Sequence, residues 1–168
     1  MAPVITSAAN PRLKLLRRLQ SRRGRDRLGL FACEGEDLVA AGLEAGLEPV
    51  EALVDAERPA LLERLPQAET LTPALMAELS TLGHPPRVIA VYRRDDLPRG
   101  SGRRGLALWR VADPGNVGTL IRAADAFGAS VALSDASADP TSPKAVRASA
   151  GAIFRVSNFK VTTAPPQS

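Results

Sequence analysis

The 168-residue chain is poor in several residue types, and each shortage removes a class of function. A single cysteine, Cys33, cannot close an internal disulfide, and with one histidine, His84, it cannot furnish a usual structural zinc site, so no metal centre is expected. No apolar run approaches the roughly 18 residues of a membrane span. The opening Met1-Ala2-Pro3-Val4 lacks the charged-then-apolar pattern of a leader, and a cytoplasmic protein is expected. One Trp, one Tyr and four Phe are too few to suggest an aromatic platform for unpaired bases. What is present, 45% hydrophobic and 24% charged residues, suits a globular chain of one ordinary domain or two small ones.

The net charge is only +4, but it is segregated. Residues 1–30 carry +7, residues 31–80 carry −9, residues 81–110 carry +5 and residues 111–168 carry +1. The N-terminal cations, Arg12, Lys14, Arg17, Arg18, Arg22 and Arg23, lie on a segment that opens with Asn10-Pro11, a helix-start pair, and has an apolar stripe at Leu13, Leu16 and Leu19. A helix over 11–22 follows, with its basic residues on the sides and open face. Such an arm suits phosphates, and equally suits a plain solvated helix face.

Strand and helix then alternate. Strands are expected at Gly29–Cys33, Val50–Val54 and Arg87–Tyr92, and helices over Glu36–Ala45, Pro59–Leu65 and from Thr72-Pro73. Arg93–Gly105 has too little apolar character for a core, which sets domains at 1–92 and 105–168 with a linker over 93–104. Beyond it, a strand over Leu106–Val111, a glycine-bearing loop over Asp113–Gly118, a helix over Thr119–Phe127 and a strand over Ser130–Leu133 make one βαβ unit. Such units are right-handed and parallel, with ligands beyond the carboxyl ends of the strands. A helix from Pro143 and a strand over Ile153–Val156 follow; residues 162–168 read as a frayed tail. Trp109, Phe127 and Phe154 are expected in the core, Cys33 as a packing residue, and His84, before Pro85-Pro86, as a turn residue.

The densest chemical signal is Asp113-Pro-Gly-Asn-Val-Gly-Thr-Leu-Ile-Arg-Ala-Ala-Asp-Ala-Phe-Gly128. Pro114-Gly115 suits a tight turn, Gly118 would allow close backbone approach to a ligand, and the following helix amides favour anions. Asn116 sits at the mouth of the loop, and Arg122 is placed to reach back to it. The spacings of dinucleotide-binding and P-loop fingerprints are absent, and Asp135 is the sole acid offered after the second strand, so a nucleotide-binding Rossmann protein is not supported.

This string resembles the first signature motif of the SpoU, or TrmH, branch of the SPOUT RNA methyltransferases. Ala138–Val156 resembles the segment that follows it there. Thr6-Ser-x-x-Asn10-Pro-Arg, Gly29-Leu-Phe-Ala-Cys-Glu-Gly35-Glu and His84-Pro-Pro-Arg-Val-Ile-Ala-Val91 resemble that branch's N-terminal substrate-binding domain. The resemblance covers roughly residues 4–156. It implies an α/β chain: a small RNA substrate-binding domain, then a Rossmann-like parallel sheet. The implied reaction is transfer of methyl from S-adenosylmethionine to a ribose 2′-hydroxyl, of ribosomal RNA first and transfer RNA as the alternative, within a homodimer whose site lies near the subunit boundary. Asn116 and Arg122 would belong to the catalytic centre, and Lys144, Arg147 and Arg155 to the RNA path. A guanidinium is a poor base, so Arg122 is expected to act by gripping phosphate and stabilising developing alkoxide.

Two later motifs of the branch, a Gly-x-Glu-Gly strand-loop and a Pro-Met…Ser-Leu-Asn-Val-Ser run, do not occur in the 168 residues. The resemblance assigns them the cofactor pocket and the trefoil knot. The sheet is therefore expected to be incomplete, without the knot, cofactor-binding residues cannot be assigned, and the chain alone is expected to be inactive. The competing reading is an RNA-binding module that retains a remnant methylase domain.

Overall fold

The computed structural model describes residues 4–161, so the tail read over 162–168 lies outside the described residues. The chain divides into two compact units between Arg94 and Asp95.

The first unit is built on a five-stranded mixed sheet. Its elements are β1 (Val4–Ile5), α1 (Pro11–Leu19), α2 (Arg22–Leu28), β2 (Leu30–Glu34), α3 (Glu36–Glu44), β3 (Glu51–Asp55), β4 (Glu69–Leu71), α4 (Pro73–Leu79) and β5 (Val88–Arg93), with a 3₁₀ turn over Pro59–Glu63. The strand order is β1-β4-β3-β5-β2, parallel from β1 to β3 and antiparallel across β5. The apolar stripe of α1 behaves as its period dictates: Leu13, Leu16 and Leu19 join Leu53, Leu71, Met76, Ile89 and Val91 in one core. Each such side chain contributes about 1.5–3 kcal/mol when fully buried. Cys33 is buried in β2, and burial pushes its thiol up to about 12, which leaves it unreactive at neutral pH. The short strands β1 and β4 carry no pattern long enough to read in advance.

The helix expected over 11–22 is two helices. Ser21 breaks it by accepting from the amide of Gly24 at 3.0 Å, as N-cap of α2. Arg25, only 3% exposed, donates to the carbonyls of Leu19 and Gln20, each at 2.9 Å, satisfying groups that the end of α1 leaves without helix partners.

The second unit carries β6 (Gly105–Leu108), α5 (Pro114–Ala126), β7 (Ser130–Ser134), α6 (Pro143–Ser149) and β8 (Asn158–Val161), with all three strands parallel in the order β6-β7-β8. Much of the segment read as a linker is tied to this unit. The amide of Asn158 donates to Pro98 O at 3.0 Å, and Ser130 ties down Gly102 and Arg104.

Three expectations here are corrected. The loop read over Asp113–Gly118 is mostly helix: Asp113 caps it and Pro114 occupies its first position, so α5 starts five residues earlier than the glycines suggest. The strand read over Ile153–Val156 is a 3₁₀ turn at Ala152–Phe154, because Ala150 and Gly151 in the left-handed region end α6 and fold this apolar run into the core; the strand comes at Asn158 instead. Trp109 and Phe127, expected in the core, are 45% and 74% exposed. Trp109 falls after β6 has ended, and Phe127 caps α5 beyond its buried face. Phe154 is buried as expected.

Candidate nucleic-acid interface

The carboxyl ends of β6 and β7 are held together by two buried serines. Ser137 donates its hydroxyl proton to Leu108 O at 3.0 Å and accepts from the Val111 amide at 3.2 Å. With that proton committed, Ser134 is the donor in the 3.0 Å Ser134–Ser137 contact, and its oxygen accepts from the amide of Arg110 at 2.9 Å. The chain between β6 and α5 is thereby welded to the chain leaving β7. Arg110 takes φ of 54°, a left-handed conformation uncommon for a residue other than glycine, and its side chain is exposed.

Asp113 has two tasks. Its Oδ1 accepts from the Asn116 amide at 2.9 Å, capping α5, and its Oδ2 accepts from Lys144 Nζ at 2.7 Å, near the start of α6. The Lys144 hydrogen bond, then the Asn116 amide, hold this carboxyl below its ordinary value of 3.8. The two helix starts are therefore pinned to each other. Further along, a Cβ at Gly118 would stand 2.2 Å from Ala145 O and 2.7 Å from Ala148 Cβ. Gly118 thus permits close approach as the sequence suggests, but to the backbone of α6 and not to a ligand.

Asn116 and Arg122 both lie on the exposed arc of α5. They are not brought side by side: six residues of α-helix separate them by about 9 Å along the axis and about 120° around it. Because α5 begins at Pro114, Arg122 sits in its third turn and not one turn from the loop. The Arg122 guanidinium is exposed and has no ion pair among the described residues.

The other expected RNA contacts sort by partner. Arg12 bridges Glu51 at 2.8 Å and Glu69 at 2.9 Å, Arg17 pairs with Glu78, and Arg22 lies 3.7 Å from Asp26. Lys144 is held by Asp113, and Arg155 donates to Asp125 at 2.6 Å. Lys14, Arg18 and Arg23 are exposed without an ion pair among the described residues; Arg147 is exposed in the last turn of α6. Sequence reasoning missed Arg25, Trp109 and Arg110 as residues of interest. A glycine at position 110 would have flagged the left-handed turn, but arginine carries no such signal.

S-adenosylmethionine bears a sulfonium cation, and the residues described here do not fit it. On the carboxyl edge and along α5 the uncommitted charges are Arg110 and Arg122 against Asp135, because Asp113 is taken by Lys144 and Asp139 by the amide and hydroxyl of Thr141. A hollow of about 520 Å³ at the opposite, amino end of β6 and β7 is lined by Arg103, Arg104, Phe127 and Gly128, again cationic. The arrangement favours an anion such as an RNA backbone. No group of three or more His, Cys, Asp or Glu is placed to hold a metal, and no helix is long and apolar enough to cross a membrane, among the described residues.

Known proteins bear on this geometry. Residues 104–166 match the SpoU rRNA Methylase family and residues 10–90 the MRM3-like substrate binding domain. An uncharacterized tRNA/rRNA methyltransferase of Synechocystis is 32% identical over 96% of this chain and 64% of its own length. A 23S rRNA guanosine 2′-O-methyltransferase of Bacillus subtilis is 32% identical over 90% of this chain and 62% of its own. The SpoU methyltransferase AviRb of Streptomyces viridochromogenes, solved with bound AdoMet, superposes with a TM-score of 0.77 at 30% identity, over 92% of this chain and 64% of that one. The chain thus spans a little under two thirds of the length of these relatives. With both of its units matched in sequence and the α/β architecture reproduced in solved relatives, the chain belongs to the SpoU/TrmH family of RNA methyltransferases.

Proposed function

We propose that these residues form the RNA-positioning part of an S-adenosylmethionine-dependent ribose 2′-O-methyltransferase acting on ribosomal RNA, and that the 168 residues alone bind RNA without completing the transfer. The observation that carries the reading is the exposed, unpaired guanidinium of Arg122 on α5 within the family's first motif. A guanidinium there holds a phosphate or ribose oxygen in a two-pronged grip and stabilises the alkoxide as the hydroxyl loses its proton. A guanidinium is a poor base and does not take that proton itself. Asn116, at the start of α5, supplies a neutral donor and acceptor for orienting the sugar. The free cations Lys14, Arg18 and Arg23 offer the first unit's own phosphate contacts, while Arg12 and Arg17 are closed on carboxylates of that unit. By family resemblance the working assembly is a cytoplasmic homodimer with the active site near the subunit boundary.

Binding without transfer is favoured for the chain alone because the uncommitted side chains along α5 and the carboxyl edge, Arg110 and Arg122 against Asp135, suit a phosphate better than a sulfonium. The test is incubation of the 168-residue chain with a ribosomal RNA fragment and radiolabelled methyl donor, alongside an RNA-binding titration. Salt-dependent RNA binding without methylated ribose supports the proposal in full. Methylated ribose abolished by Arg122→Ala supports the catalytic role and refutes inactivity, and absence of RNA binding at low salt refutes both.

A further inference from the structure

Trp109 and Arg110 are adjacent, exposed, and positioned by the serine clasp at the carboxyl end of β6, three residues before the Asp113 cap. At 45% exposure the chain's single tryptophan leaves part of its indole face open to a stacking ligand. Arg110 adds an independent observation. Its φ of 54° is a conformation that glycine would adopt without penalty, and strained backbone of this kind persists only where the surroundings impose it. Here the Ser134 hydroxyl takes the Arg110 amide, and the Ser137 hydroxyl takes the next one. The fold therefore holds a free cation, without an ion pair among the described residues, in a turn better suited to glycine and next in sequence to an exposed aromatic residue.

We propose that Trp109 and Arg110 form a nucleotide-docking site at the carboxyl end of β6, Trp109 stacking on an unpaired RNA base near the target ribose and Arg110 holding an adjacent phosphate. The ligand class is single-stranded or looped RNA, because a duplex keeps its bases stacked on one another and offers the indole no free face. This deepens the RNA-binding reading above and rests on it.

Trp109 is the sole tryptophan, so its fluorescence reports on this position alone. The full chain is titrated with an end-labelled single-stranded oligoribonucleotide and with its duplex, with anisotropy of the label recording binding and tryptophan emission recording stacking. Single-stranded RNA is expected to quench Trp109 in step with binding, and the duplex to bind without quenching. Trp109→Leu should weaken single-strand binding about 5–100-fold. Arg110→Gly should lower the slope of log affinity against log salt by about 0.7 while raising the melting midpoint by about 2–4 °C as the strain is relieved. RNA bound with unchanged tryptophan emission, or Arg110→Gly with the wild-type slope, overturns the docking site and leaves the RNA reading standing. Quenching that follows chain concentration without RNA would put a second copy on Trp109 and also overturn it. No RNA binding in either channel sinks both.

Discussion

Both units hold paired and unpaired arginines, but they differ in which ones carry the sequence signal. In the first, Arg12, Arg17, Arg22 and Arg25 are committed, three to carboxylates and one, buried, to the carbonyls that end α1. In the second, Arg110 and Arg122 are exposed and without ion pairs among the described residues, around a motif whose own acid is already neutralised by Lys144. Charge density along the chain would make the N-terminal arm the main phosphate surface. Partner geometry shifts part of that role to the second unit, because a guanidinium already closed on a carboxylate has less to offer a phosphate.

The contrast can be broken first where the second unit is tightest. Gly118→Val places a side chain into Ala145 O and Ala148 and should cost about 3 kcal/mol in the second unit, read by denaturant unfolding. A variant as stable as wild type would mean that α5 and α6 do not cross there. Next, Arg25→Met keeps volume but strands the Leu19 and Gln20 carbonyls, for a loss of about 2 kcal/mol. The neighbouring Arg23→Ala should change stability by less than about 0.5 kcal/mol. Equal effects at 23 and 25 would erase the distinction between structural and free arginines.

A smaller effect concerns acid. Asp113 is held below its ordinary 3.8 in the folded chain, so its contribution is fully present above that pH and fades as pH falls through the folded value. The melting-point difference between wild type and Asp113→Asn should therefore be visible at neutral pH and begin to shrink as pH falls below about 3.8, towards the lower folded value; a difference that does not shrink on acidification contradicts the Lys144 pairing. The smallest effect on stability belongs to the pair Lys14→Ala/Arg18→Ala, exposed and unpaired, expected within about 0.5 kcal/mol of wild type. The same pair should reduce the salt slope of RNA affinity by about 1.4–1.8, and an unchanged slope would remove the arm from the interface.

Legibility in the sequence followed the range of the forces involved. The stripe of α1, the caps at Asn10 and Thr72 and the parallel pairing of β6 with β7 are local or periodic, and they were readable. The break at Ser21 was not, since a serine inside a basic, helix-favouring run gives only a weak cap signal, and the carbonyls it frees are satisfied by Arg25. The start of α5 was misplaced because glycine at 115 and 118 signals a loop by propensity, whereas here small size serves contact with Lys144 and α6. Asn116 and Arg122 were found through the motif, yet their separation along the helix appears only once the helix start is known. Trp109 and Phe127 were misread because hydrophobicity gives no hint of where a strand or helix stops.

The central claim is that Arg122 touches the RNA. Its most direct test is the affinity of the chain for a ribosomal RNA hairpin across a salt series, compared with Arg122→Gln. A slope shallower by about 0.7–0.9, with an unchanged melting midpoint, is the expected result. Identical slopes and affinities would place that guanidinium outside the interface and contradict the account.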